Sequence, residues 1–199
     1  MKKKMMLLAV PLLLLPSIAR SQRLEAGTFV TYTFLEEIGS TDHGVGTSTL
    51  GLGGRAVWHI VPFVDIDGEL AIHPNAGVQG YKVQGMVGAK AGMRAKVLGV
   101  FAKVRPGFLF FSKDPFGVGR PGAMLGHTDW AHSLDPTVDV GGVVEYYAPN
   151  NLIVRLDVGE TIVRYHSRTV PGSQVQPPRQ VGGVTTRNLQ WSIGLAKRF

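Results

Sequence analysis

The stretch Val64-Asp65-Ile66-Asp67-Gly68-Glu69-Leu70-Ala71-Ile72-His73 alternates without a break. Asp65, Asp67, Glu69, Ala71 and His73 fall on one face; Val64, Ile66, Gly68, Leu70 and Ile72 fall on the other. Successive side chains of an extended chain leave the pleat on opposite sides, so a period of two reads as a strand. The two faces differ sharply in chemistry. One carries three carboxylates and the other none.

The same pattern extends in both directions. Residues 50–60 set Arg55 and His59 against Leu50, Leu52, Ala56, Trp58 and Ile60, and residues 86–97 set Lys90, Arg94 and Lys96 against Val87, Ala89, Ala91, Met93, Ala95 and Val97. Residues 24–34 alternate weakly. Residues 101–111 oppose Lys103 and Arg105 to Ala102, Val104, Phe108 and Phe110, and residues 137–147 oppose Asp139 and Glu145 to Val138, Val140, Val144 and Tyr146. Residues 152–164 oppose Arg155 and Asp157 to Val154, Leu156, Val158 and Ile162, and residues 188–199 close the series, with Leu189, Trp191, Ile193, Leu195 and Phe199 on the apolar side. Eight strands are expected.

The links between them alternate in length. Long ones, rich in Gly, Pro, Ser and Asn, cover residues 37–47, 74–85, 112–136 and 167–186, and short ones cover 61–63, 98–100 and 148–151. Strict alternation is the mark of an antiparallel up-and-down sheet with turns at one end and loops at the other, as in a transmembrane barrel. The expected fold is thus all-β, an eight-stranded antiparallel up-and-down transmembrane barrel.

Energetics decide which face meets lipid. The charged face carries Arg55, Asp65, Asp67, Glu69, Lys90, Arg94, Lys96, Lys103, Arg105, Asp139, Glu145, Arg155 and Asp157. The apolar face carries bulky side chains, with charges only at Glu160, Arg164 and Lys197. A basic residue facing mid-bilayer costs about 2–4 kcal/mol, and eight strands leave a lumen only wide enough for side chains. The bulky face therefore belongs outside and the charged face inside, as a structural network of mutually neutralising groups. Aromatic residues gather at both ends: Trp58, Tyr146 and Phe199 near the turns, Tyr32, Phe34, Phe108 and Phe110 near the loops. That is the distribution expected of two membrane interfaces.

The N-terminus reads as an export signal. Lys2, Lys3 and Lys4 precede the 12-residue apolar stretch 5–16, too short to span a bilayer as a helix, and Ala19-Arg20-Ser21 supplies small residues for a peptidase. Cleavage is expected before Gln22, with cleavage after Ala19 as the alternative. The chain divides into a signal peptide, 1–21, and a barrel domain, 22–199.

Composition excludes several classes. The net charge of +7 falls to +3 once the four bases of the first 20 residues are set aside, which is no surface for nucleic acid. There is no Cys, so thiol catalysis, disulfides and Cys-based metal sites are excluded. Gly117-Val118-Gly119-Arg120-Pro121-Gly122 matches a dinucleotide fingerprint by letter, but Pro121 and the polar stretch after it offer no helix to receive a phosphate. Asp65-Ile66-Asp67-Gly68 begins like a calcium loop, yet its twelfth position is Ala76 where a bidentate Glu is needed. His127, Asp129 and His132 lie close together on the third long link, where polar residues are ordinarily solvated. No cofactor or metal is expected.

The stretch from Gly53-Gly54-Arg55 through Val64 to Glu69, the segment Ala102-Lys103-Val104-Arg105-Pro106-Gly107-Phe108, and the C-terminal strand together resemble the small bacterial outer-membrane barrels of the outer membrane protein A and X type. The resemblance covers residues 22–199. It implies residence in the outer membrane, contact with its lipid, and delivery by the export and barrel-assembly machineries. It also implies an assembly signal at Gly194 and Phe199, although Lys197 stands where that signal usually has an apolar residue. A non-enzymatic role follows, in envelope structure or in loop-mediated binding of an extracellular ligand. Two alternatives remain. Some barrels of this size are rim-active lipid A deacylases with a His-x-Ser pair, whereas His132-Ser133 and His166-Ser167 are adjacent here and so point to opposite faces of a strand. A small channel is the other. Pro106 falls inside the fifth strand, where it cannot donate to the ladder, and a bulge at Pro106-Gly107 is expected.

Overall fold

The computed structural model describes residues 23–34, 48–75, 80–113, 133–170, 179–181 and 183–199. The expected signal segment and its cleavage points, the Gly117–Gly122 motif, and His127, Asp129 and His132 lie outside the described residues.

Eight strands close into a barrel: β1 (Leu24–Phe34), β2 (Ser48–Val61), β3 (Val64–His73), β4 (Lys82–Arg94), β5 (Leu98–Phe111), β6 (Ser133–Ala148), β7 (Leu152–Arg164) and β10 (Thr185–Arg198). Each pairs antiparallel with its neighbours in chain order, and β10 returns to pair with β1. The wall thus has no open edge, and every strand finds both its ladders. Between β7 and β10, β8 (Arg168–Val170) and β9 (Arg179–Val181) form a separate two-stranded ribbon. Loop-like composition hides that ribbon from a reading of the sequence.

Strand ends also differ from expectation. β4 starts at Lys82 and stops at Arg94, because Lys82 and Gln84 continue its inward face although they read as loop residues. The turn that follows is 95–97, closed by Ala95 N–H donating to Leu98 O at 2.7 Å. Lys96 consequently sits exposed in that turn, which corrects its expected place in the lumen. The turn between β6 and β7 has Asn150 and Asn151 at φ 62° and 61°, the left-handed region that Asn tolerates better than most residues.

The expected bulge at Pro106 is absent. The β4–β5 register is the same at Met86↔Gly107 and at Ala89↔Val104, and only the pairing between those points is interrupted. On the other side Pro106 pairs in register with Val138. The missing N–H is absorbed as a gap in one ladder. The shift of register in this barrel lies instead between His59 and Val61, at the turn end of β2.

The outer surface is apolar. Leu50, Leu52, Leu70, Val87, Met93, Val104, Leu156, Val158, Ile193 and Leu195 are all exposed on it. Trp58, Phe63, Tyr146 and Phe199 ring the turn end, and Phe34, Tyr81 and Phe108 the loop end. Phe108 lies across from the outward Gly85, whose missing side chain its ring replaces.

Candidate functional site

The interior holds the charge. Among the described residues, the carboxylates of Glu25, Asp65, Asp67, Glu69, Asp139, Glu145 and Asp157 are ion-paired with Arg55, Lys90, Arg94, Lys103, Arg105, Arg155 and Arg198, seven against seven. Inward-facing glycines let neighbouring strands approach closely, since a Cβ at Gly88, Gly141 or Gly159 would come within 2.4 Å of a backbone oxygen on the next strand. Gly88, for example, lies opposite Asp67, and Gly53, Gly141 and Gly159 also face the lumen.

At the centre, three guanidiniums from three walls interleave with carboxylates. Arg55 on β2 reaches Glu69 at 2.9 Å and Asp157 at 3.4 Å. Arg105 on β5 donates from Nε to Asp139 at 2.8 Å and from Nη1 to Glu69 at 2.7 Å. Arg155 on β7 bonds Asp67 and, at 3.0 Å, Asp157. Lys103 bridges Asp139 and Asp157. Of the two neighbouring strands, β4 sets Gly88 and Met86 opposite Asp67 and Glu69 and supplies neither with a base. On β2 Arg55 is the register partner of Glu69, whereas the further counter-charges, Arg105 and Arg155, come from non-adjacent strands, which the one-dimensional pattern does not encode.

Nearer the turns, Asp65 is met by Lys90 at 3.4 Å and by Arg94, and Lys90 also bonds Glu145. His59 stands between Glu25 and Asp65, 2.7 Å from each carboxylate. Tyr147 donates to Glu145 at 2.9 Å. Phe101 lies under both Lys90 and Arg94, at 4.6 and 4.7 Å from its centroid, and Arg55 stacks over Phe29 at 4.6 Å. These aromatic faces stabilise cations whose water has been removed.

Glu25 escapes a reading of the sequence, since β1 alternates weakly; Arg198 is legible there as a polar-face residue of the last strand, but its partner is not. Lys82 and Asp135 are missed because both lie in stretches composed like loops. Gly194 faces inward at the β1–β10 seam, where a side chain would run 2.6 Å from Thr28 O and 2.8 Å from Phe29 Cβ. Phe199 lies exposed at the turn end, its N–H donating to Leu24 O at 2.8 Å.

At the loop end, Asp135 is buried and accepts from the His166 backbone N–H at 3.2 Å, with His166 Nδ1 at 3.1 Å. The His166 side chain is 62% exposed, and the Ser133 hydroxyl donates to the same carboxylate. The carboxylate stands between the serine and the histidine. In a nucleophile–base pair the histidine would stand there.

No family model matches this chain, and no curated protein matches it. Solved structures do. Neisserial surface protein A is 14% identical, with 90% of this chain and 98% of that one covered and a TM-score of 0.53. Ail, the attachment invasion locus protein of Yersinia pestis in complex with sucrose octasulfate, is 11% identical over 89% and 99% of the two chains, at a TM-score of 0.47. A de novo designed transmembrane β-barrel is 14% identical over 90% and 98%, at 0.46. At such identities the likeness is one of fold. The architecture is that of the small transmembrane barrels of the outer-membrane kind.

Proposed function

We propose that this chain is an integral protein of the bacterial outer membrane, exported by a signal segment at 1–21 and inserted by the barrel-assembly machinery. Its barrel is a closed, non-enzymatic support that holds long extracellular loops, for envelope structure or for binding an outside ligand. One observation carries this reading: ion pairs cross the lumen from wall to wall, as Arg155 on β7 does to Asp67 on β3, the strand opposite it in the barrel. Side chains tied to the opposite wall occupy the space that conducting water needs. The apolar outer face suits lipid, and a mid-bilayer charge there would be costly.

Purified protein reconstituted in planar bilayers tests it. Little ion current is expected, together with different gel mobility in boiled and unboiled samples. A stable, large conductance would show that the charges line a channel instead.

A second reading, a rim-active enzyme acting on lipid, draws on the Asp135–His166 pair. A buried carboxylate that holds an exposed imidazole is an arrangement suited to proton transfer. Incubation with lipid A, followed by mass analysis of its acyl chains, separates the two readings. Acyl loss abolished by His166→Ala would favour the enzyme.

A further inference from the structure

The interior row nearest the loops is chemically unlike those beneath it. Thr33 on β1 pairs with Thr49 on β2, and His73 on β3 pairs with Lys82 on β4. All four side chains face the lumen and are buried, His73 and Lys82 completely. Directly opposed residues hold their Cβ atoms about 5 Å apart, so two bases share one spot.

Neither base forms an ion pair with a described residue, whereas each of the seven basic residues in the network beneath has a carboxylate within 4.0 Å. Lys82 Nζ, His73 Nε2 and Thr33 Oγ1 have no hydrogen-bond partner among the described residues. Thr49 Oγ1 lies 3.1 Å from His73 Nδ1, and in the tautomer where that nitrogen accepts, Nε2 carries the free N–H. Gly51 lets the imidazole lie against backbone, since a side chain there would come within 2.7 Å of the ring. Among the described residues, the loop-end carboxylate of Asp135 on β6 is taken up by Ser133 and His166. Gln84 Oε1 is an unpartnered acceptor nearby on β4, but a neutral oxygen does not balance an ammonium.

A buried ammonium without a counter-charge is among the costliest groups a protein can hold. Lys82 and His73 stand side by side as register partners, and Thr33, opposite Thr49, adds a hydroxyl, likewise unpartnered among the described residues, to the same row. We propose that Lys82, His73 and Thr33 bind a small oxyanion of the phosphate class at the loop end of the lumen. The ion-pair network beneath stops such an anion from passing through, so the site binds and does not conduct. This site stands apart from the reading of the barrel as a support for loops.

The experiment uses the folded protein in non-ionic detergent and phosphate-free buffer. Inorganic phosphate is titrated while the thermal unfolding midpoint and the phosphorus-31 linewidth are followed, with chloride at equal ionic strength as control. Saturable stabilisation by phosphate and not by chloride is expected. Lys82→Met should weaken binding at least about tenfold, a change of about 1.4 kcal/mol, and His73→Gln should weaken it less. Lys96→Met, at the opposite end, should leave it unchanged. Without phosphate, Lys82→Met should be at least as stable as the parent, which separates lost binding from lost folding. A parallel arm compares phosphatidylcholine vesicles with and without phosphatidic acid. Stabilisation by inorganic phosphate assigns a free anion, and stabilisation by phosphatidic acid alone assigns a lipid headgroup. No phosphate effect in either arm, or an equal effect in Lys82→Met, overturns the proposal. So does a Lys82→Met variant less stable than the parent in phosphate-free buffer, which would mean that a carboxylate of the chain already neutralises Lys82.

Discussion

Glu25 and Arg198 are register partners across the seam where the barrel closes, 173 residues apart in the chain, with Arg198 Nη2 2.7 Å and Nε 2.9 Å from Glu25 Oε1. The first and last strands are thus joined by charge as well as by backbone. Glu25 is buried and also meets His59, so neutralising it strips a counter-charge from two bases. Glu25→Gln should destabilise the barrel by about 2 kcal/mol, the scale of hydrogen bonds to charged groups. A urea titration in detergent micelles reads this, and a double-mutant cycle with Arg198→Met should show coupling. Independent, additive losses would mean the seam pair contributes nothing of its own.

Glu69 gives the larger expected effect. It accepts from Arg55 at 2.9 Å and from Arg105 at 2.7 Å, deep in the lumen. Glu69→Gln keeps the shape and removes the charge, leaving two buried guanidiniums short of a partner. The cost of breaking a buried pair in this way is about 3–5 kcal/mol, and less if water enters. The variant should unfold at clearly lower urea than the parent. An unchanged midpoint would show that water already screens the network.

The outer face makes the opposite demand. Val158 is the central residue of the 13-residue strand β7 and is exposed. Val158→Arg should cost about 2–4 kcal/mol in a bilayer, whereas Leu152→Arg, at the turn end, should cost about 0–1 kcal/mol. Unfolding from lipid vesicles distinguishes the two positions. Equal costs would mean the apolar belt is not what holds the barrel in lipid.

The C-terminal strand separates assembly from stability. Deleting Phe199 removes one backbone bond to Leu24, about 1 kcal/mol, so refolding in detergent should be nearly unaffected. In cells the assembled fraction should fall, if the terminal aromatic is part of the assembly signal. Gly194→Val should fail in both settings, because its side chain meets β1 backbone and Phe29. Normal cellular assembly without Phe199 would place the signal elsewhere.

Much of the architecture is legible in the order of residues. In β3 and β7 the period of two reaches from end to end, and their bounds match expectation. At the starts of β4, β6 and β10 the local composition is that of a loop although Lys82, Asp135 and Thr186 point inward, and the strand is mistaken for loop. Lys96 shows the converse. It continues the period of β4, yet the chain has already turned at 95–97.

The sequence by itself determined the number of barrel strands, their up-and-down order and the face that meets lipid, because alternation and link length are local properties of the chain. Pairs such as Arg55–Glu69 and Arg105–Asp139 join register partners on adjacent strands, but the pairs that skip strands were decided only by the tertiary structure. Asp67 on β3 finds Arg155 on the opposite wall, and Glu69 finds Arg105 past the intervening β4, because closing eight strands curves non-adjacent strands within reach of one guanidinium side chain. That distance depends on how the whole wall curves and shears. No pair of neighbouring residues records it, and the same closure leaves Lys82 and His73 side by side without an acid among the described residues.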